Sequence, residues 1–486
     1  MLLGIDLGTS SIKVSLLDPA SQICVASATA PPDTELQRTA PELGWTEQNP
    51  EDWWQATIDA IKMLPADKVA QVTAIGIGYQ MHGLVLVDEN ANPVRPSIIW
   101  SDGRAVASGV AIQSEIGPEN VNPLLNEPGN FTLAKLRWVR DNEPATLSKA
   151  KYALLPGDYL AFKLTGEPCT TSTGLSEMMA WNHIARTPSD EAWIAAAGDL
   201  SLRPNLVPIL GNQGQLTKEA AALTGLPSTA TITYRAGDQP NNAFSLGVFA
   251  PGNLAAVAGT SGVLYGITPR AVRDPQSRVN TFVHVTDTDA SPLGGVLMCI
   301  NGAGSSYSWL RKSTGHSFDD LNQAASQSSA GAEGILCFPY GNGAERIFNN
   351  QVIGGSFQNL DYTRHGLPHL ARATLESVAF TMFRGLEIMQ SIGVSADTVR
   401  VGNASMFRSE LFCQIFADLF QAELQLYDTD GSLGAARAAG LGANLFNTPQ
   451  EALSGLREIK SYKAGSNVYQ SIYANWNEQL ERKLNS

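Results

Sequence analysis

Asp6-Leu7-Gly8-Thr9-Ser10 lies between two apolar runs, Leu2 to Ile5 and Ile12 to Leu17, and Gly259-Thr260-Ser261-Gly262 lies between two more, Leu254 to Ala258 and Val263 to Ile267. The layout predicts two β-hairpins whose glycine turns bring backbone N–H groups close to a phosphate, with the Thr9 and Thr260 hydroxyls as further donors. A lone Gly-Thr-Ser is ordinary turn chemistry. The matched pair points to phosphate. Aligning Gly8 with Gly259 sets Asp6 against Val257, so only the first hairpin can offer a carboxylate to a metal ion.

Outward from the first hairpin the pattern is α/β. Pro50 to Leu64 reads as a helix: Asn49 caps it, Pro50 suits its first turn, Glu51 and Asp52 favour its positive end, and Trp54, Ile58 and Ile61 share a face. Val72 to Gly78, Leu84 to Asp88 and Pro96 to Trp100 read as strands, Ala134 to Arg140 as part of a helix, 141 to 230 as helices and loops, and Ala230 to Tyr234 as a strand. Small and turn residues from Gly247 to Gly252 mark the domain boundary. Residues 1–248 form the expected first domain, and 249–486 the second, with a helical tail. In the second, Pro368 to Gln390 has helical apolar spacing, the strand Val399 to Val401 leads into the helix Glu410 to Phe420, and Ser432 to Asn444 makes a Gly/Ala-rich helix.

The length of 486 residues exceeds one ordinary core, and 43% hydrophobic with 16% charged residues is the composition of a packed protein. Acidic residues number 46 and basic ones 33, a net charge of −13 with no Lys/Arg block, which excludes nucleic acid and anionic membrane as natural partners. There is no basic, cleavable leader pattern and no long apolar stretch, so a cytoplasmic location is expected. Cys24, Cys169, Cys299, Cys337 and Cys413 follow no Cys-x-x-Cys spacing and read as buried thiols of a reducing compartment. His365 and His369 flank Gly366 and Pro368, which should break the helix that would bring their rings together as metal ligands.

Phosphoryl transfer passes through a loose transition state, so positioning and charge neutralisation matter more than a strong base. Asp6, at a strand end, suits Mg²⁺ held through water. Asp238 follows the Ala230 to Tyr234 strand through Gly237 and should project at its carboxyl end, where α/β proteins place ligands; it is the candidate base. Gln80-Met81-His82-Gly83, at a strand break, can line a polyol pocket, although such a histidine is often structural. Trp100, Asp102 and Arg104 form a similar cluster, for which a surface salt bridge is the ordinary reading.

These residues, with Gly4 to Ser10 and Lys13, Trp45 to Trp54, Asn130 to Asn142 around Lys135 and Trp138, and Gly355 to Glu376, resemble the FGGY family of carbohydrate kinases, and within it the xylulokinase subgroup. The resemblance implies two actin-like, ribonuclease-H-like ATPase domains with an interdomain cleft. It implies Asp238 as base, Asp6 as the metal residue, and an acceptor site of Gln80, Met81, His82, Trp100, Asp102, Arg104, Asp238 and Gln239. ATP would be held by Gly8, Thr9, Ser10, Lys13, Gly259, Thr260, Ser261, Gly304, Gly402, Asn403, Ala404 and Ser405. The chain departs from the family pattern at Asn130, Asn359 and Ala344, at Gln239 where asparagine is usual after the base, and at Asn403-Ala404 in a stretch that is normally glycine-rich.

The expected activity is therefore ATP- and Mg²⁺-dependent phosphorylation of a terminal hydroxyl of a ketopentose, D-xylulose giving D-xylulose 5-phosphate. Ribulose, arabinitol or gluconate are the alternative acceptors, and a homodimer is left open. A nucleotide-switched actin-like protein would share the hairpins but needs no polyol pocket, and a binding protein that has lost catalysis would not need both acids.

Overall fold

The computed structural model describes residues 1–485; Ser486, the last residue of the expected second domain, lies outside them. The described chain forms two compact units. The first comprises Met1–Phe249, Phe282–Gly294 and Thr429–Leu456, and the second comprises Ala250–Thr281, Gly295–Asp428 and the chain from Arg457 onward. The chain leaves the first unit after Phe249 and returns to it twice.

The first unit is built on a five-stranded sheet in the order Thr231–Gly237, Ala74–Tyr79, Leu2–Leu7, Ile12–Leu17, Cys24–Ala30. Leu2–Leu7 pairs antiparallel with Ile12–Leu17, Leu7 facing Ile12, and parallel with Ala74–Tyr79, Asp6 facing Gly78. These strands are almost continuously apolar and buried because helices cover the sheet. The helix Pro50–Lys62 starts as its sequence requires, with the Asn49 side chain accepting from Glu51 N at 3.2 Å and Trp53, Trp54, Ile58 and Ile61 buried.

The helix Gly431–Gly442 packs on the strands Leu2–Leu7 and Ala74–Tyr79 of the same unit. Two neighbouring glycines make this approach possible: a Cβ on Gly4 would lie 1.8 Å from Ser432 O, and one on Gly76 2.0 Å from Ala435 O. Asp430 caps the helix, its Oδ1 accepting from Leu433 N at 3.0 Å.

The second unit contains neighbouring strands in the order Gly262–Thr268, Gly252–Ala258, Ala396–Gly402, Glu423–Tyr427, Glu458–Tyr462. Its centre repeats the first sheet: Gly252–Ala258 pairs antiparallel with Gly262–Thr268, Ala258 facing Gly262, and parallel with Ala396–Gly402. The expected Pro368 to Gln390 helix is present as Leu367–Ser391, with Leu375, Val378, Ala379, Met382 and Leu386 in the core.

Two smaller expectations are corrected. Cys24 is exposed because the edge strand Cys24–Ala30 is covered on few sides, and Cys299 is half-buried, while Cys169, Cys337 and Cys413 are buried. The rings of His365 and His369 do meet, with centroids 5.2 Å apart, because Gly366 caps the helix and His369 already lies in its first turn. Each Nδ1 accepts a backbone amide, from Asp361 and Gly366 respectively. Among the described residues no group of three or more His, Cys, Asp or Glu is placed to hold a metal ion, and no helix is long and apolar enough to cross a membrane.

Candidate active site

At the carboxyl end of the first sheet three acids gather in one unit. Asp6 ends the strand Leu2–Leu7, Asp238 opens the helix Asp238–Ser245 after Gly237, and Asp430 caps the helix Gly431–Gly442. The packing here is close: a Cβ on Gly431 would lie 2.3 Å from Asp6 Oδ2. Asn241 bridges the elements, its Nδ2 donating to Gly431 O at 2.9 Å, and a Cβ on Gly78 would strike that same nitrogen at 2.6 Å. Lys13 Nζ reaches Asp430 Oδ2 at 2.6 Å.

Desolvation, reinforced by Asp238 and Asp430 and opposed by Lys13, pushes the Asp6 carboxyl up to about 7. Desolvation likewise pushes Asp238 up to about 6, against the Gln239 side chain, whose Nε2 donates to Asp238 Oδ2 at 3.1 Å. Burial would raise Asp430 too, but the Lys13 ammonium and the Leu433 N–H leave it below the usual range. Two acids held high by repulsion and burial form a site that a hard cation would relieve. The donors are oxygen only and too few for a protein cage, which fits a cation that keeps most of its own waters.

The turn Gln80-Met81-His82-Gly83 follows the strand Ala74–Tyr79 of this sheet. His82 has φ 61°, a left-handed conformation that is costly for a residue with a side chain. The buried Lys135 ammonium holds that turn, donating to His82 O at 2.6 Å, and desolvation lowers Lys135 to about 7. His82 Nδ1 lies 3.1 Å from Glu177 O; a carbonyl only accepts, so Nδ1 carries the hydrogen and Nε2 is the acceptor of the neutral ring. The ring packs edge-on against Phe131 at 4.7 Å and beside Phe282 at 5.6 Å.

Gln80 points inward. Its Nε2 donates to Gln48 Oε1 at 3.0 Å and its Oε1 accepts from Thr9 Oγ1 at 3.2 Å, tying the turn to the first hairpin. The half-exposed Trp100 donates to the same Thr9 hydroxyl at 3.0 Å. Asp102 and Arg104 are not a surface pair, because both are buried: Arg104 Nη2 meets Asp102 Oδ2 at 2.7 Å, its Nη1 meets Glu47 Oε1 at 2.7 Å, and its guanidinium lies 3.8 Å over Trp45. A fully engaged buried pair of this kind acts as a brace.

The second unit gathers the other set. In the second hairpin Gly259 N donates to Ser261 O at 3.0 Å, whereas in the first Gly8 N donates to Ser11 O at 3.0 Å, so the second turn is one residue shorter. The helix Ala303–Thr314 begins against this turn, with Ser305 N donating to Thr260 O at 3.1 Å, and a Cβ on Gly304 would lie 2.0 Å from Gly259 O. Ser405, with φ 51°, sits beside the same turn: a Cβ on Gly259 would be 3.7 Å from its Oγ. Asn403 N donates to Tyr427 O at 3.1 Å and Ala404 N to Gly402 O at 2.8 Å, so this stretch is held by main chain. Glu345 accepts from Asn301 N at 2.9 Å and Gly302 N at 3.0 Å, fixing the approach to the helix, while burial raises its carboxyl to about 7.

Two domain models of the FGGY family of carbohydrate kinases match this chain, the N-terminal one over residues 1–245 and the C-terminal one over 254–443. The chain belongs to the FGGY family of carbohydrate kinases. This FGGY kinase is 33% identical to the xylulose kinase of Escherichia coli K12 over 455 residues, covering 91% of this chain and 90% of the relative. It is 29% identical to the xylulose kinase of Bacillus subtilis over 492 residues, 97% of this chain and 96% of the other. The solved xylulose kinase of Rhodospirillum rubrum superimposes with a TM-score of 0.87 at 25% identity, covering the whole of both chains. The two-domain α/β architecture is thus the actin-like ATPase fold, and the protein is a sugar kinase.

Residues that pack beside the candidate site and that sequence reading passed over are Glu177, Phe131, Phe282, Asn241 and Asp430. Only Asp430 carried a local signal, an acid immediately before Gly431 and Ser432 at the start of a small-residue helix.

Proposed function

We propose that this kinase transfers the γ-phosphate of ATP to the terminal hydroxyl of D-xylulose, giving D-xylulose 5-phosphate. The observation that carries the reading is the meeting, in one unit, of the base candidate Asp238 with the Met81-His82 turn, since Gly237 and Met81 are in direct contact range: a Cβ on Gly237 would lie 2.5 Å from Met81 Cγ. The relatives named xylulose kinase at 33% and 29% identity support the ketopentose as acceptor.

In this reading the first unit binds the sugar and the second the nucleotide. His82 Nε2 accepts a hydrogen bond from a sugar hydroxyl, Met81 packs on the carbon chain, and Asp238, ionised above about 6, takes the proton of the attacking hydroxyl. The proton leaves late in a loose transition state, so a carboxylate of this basicity suffices. Asp6 would hold Mg²⁺ through water, and that ion supplies neutralisation of phosphate charge. Lys13 keeps Asp430 paired beside Asp6, and the Gly259 to Ser261 turn with Gly304 and Gly402 to Ser405 forms the nucleotide cradle.

The test is a coupled assay for ADP release with D-xylulose, ribulose, arabinitol and gluconate at fixed ATP and Mg²⁺. Highest kcat/KM on D-xylulose supports the reading. A higher value on another acceptor replaces it, and equal ATP hydrolysis with and without any sugar removes it.

A further inference from the structure

The helix Ser172–Met178 brings a buried carboxyl, that of Glu177, beside the elements of the proposed acceptor site. Glu177 is 1% exposed, and neither of its oxygens makes a hydrogen bond of ordinary geometry. It stands against the elements that carry Met81, His82 and Asp238. A Cβ on Gly237 would lie 3.0 Å from Glu177 Oε2 and 3.0 Å from Met81 Sδ, and the Glu177 carbonyl is the partner of His82 Nδ1.

No cation is hydrogen-bonded to this acid, although the Lys135 ammonium interacts with it through space. Arg235 is paired with Asp158 at 3.0 Å, Lys135 donates to the His82 carbonyl, and Arg104 is engaged by Asp102 and Glu47. Desolvation therefore pushes the Glu177 carboxyl well above the usual range, and Asp158 and Asp238 add to the rise. The Tyr79 hydroxyl and the His82 amide face it, yet neither meets it in ordinary hydrogen-bond geometry, so the carboxyl keeps hydrogen-bonding capacity for an oxygen substituent from outside the fold.

A buried carboxyl without an ordinary hydrogen bond carries a desolvation cost that an apolar side chain of similar size would avoid. The position beside the base and the sugar-facing turn gives the group a use. We propose that Glu177 is a specificity-determining residue of the acceptor site, hydrogen-bonding one oxygen substituent of an uncharged sugar on the Met81 side of Gly237. The unbranched Met81 side chain is the movable part of that wall. The proposal rests on the reading that the acceptor lies against Met81, His82 and Asp238.

A site that pairs a buried polar group with a substrate oxygen penalises the analogue lacking that oxygen, because the protein group is then left unpaired. The test compares D-xylulose with its 1-deoxy, 3-deoxy and 4-deoxy analogues in the wild type, Glu177→Gln and Glu177→Leu, at saturating ATP. The measured quantity is the ratio of kcat/KM for D-xylulose to that for each analogue. For one analogue the ratio should be about 100 or more in the wild type and approach one in Glu177→Leu. Glu177→Gln, which keeps the volume should the leucine variant not fold, should lower that ratio by at least about threefold through KM for the sugar, with KM for ATP unchanged. Ratios that are the same in wild type and Glu177→Gln overturn the proposal, since a merely structural residue would scale all sugars together. Turnover of no sugar by the wild type overturns the kinase reading itself, and the proposal with it.

Discussion

The hairpin of Leu2–Leu7 with Ile12–Leu17 and the hairpin of Gly252–Ala258 with Gly262–Thr268 share a backbone plan, each with its first strand parallel to a third. Their chemistry differs. The first ends in Asp6, with Asp238, Asp430 and Lys13 around it, whereas the second has Val257 at the matching place and is surrounded by glycines, serines and main-chain amides. A repeated frame has thus kept its strand pairing and divided its charges. The acid-bearing copy is suited to a cation and a proton, and the neutral copy to phosphate oxygens that need N–H donors and close backbone approach.

The comparison is broken most directly by Asp238→Asn, which should reduce kcat about a thousandfold while leaving ATP binding by calorimetry near wild type. Wild-type turnover would show that the acid side contributes no base. Asp6→Asn should reduce kcat about a hundredfold. It should also raise stability, and the sign follows from the elevated carboxyl. A group at about 7 in the fold and about 3.8 when unfolded makes the fold progressively less stable as pH rises from about 4 to 7. Asp6→Asn should therefore raise Tm at pH 8 and leave it unchanged at pH 4, as read by calorimetry.

On the neutral side, Gly304→Ala places a methyl 2.0 Å from Gly259 O and should raise KM for ATP about tenfold without changing KM for the sugar. A change in sugar KM instead would mean that the two hairpins do not divide the ligands. The smallest effect is on pH. Because Asp238 works as a carboxylate and sits at about 6, kcat/KM should fall as pH drops through that value. Gln239→Leu removes the donor that favours the ionised form and should move this acid limb upward by less than one unit. A downward shift would contradict the bond from Gln239 Nε2.

Sequence reading found both hairpins, the helix after Asn49 and the long helix near 367–391, because strand alternation, caps and helical spacing are local properties. It placed Asp6 near the end of a strand and Asp238 just after one, and both lie there. It did not find that Asp102 and Arg104 are buried, since Glu47, Trp45 and Trp138 converge on them only in three dimensions. Glu177 was invisible for the same reason. Nothing in Ser172 to Met178 marks an acid that ends beside Gly237, and its burial is a property of everything packed around it.

The glycines Gly4 and Gly76 let the helix Gly431–Gly442 lie on the first strands made, so one face of the N-terminal sheet is covered by a segment near the other end of the chain. During synthesis that sheet face must wait, apolar and uncovered, until Gly431–Gly442 has emerged. The first unit can therefore begin to fold on the ribosome but finish only once that helix is available, an interval in which a chaperone or self-association competes for the same surface.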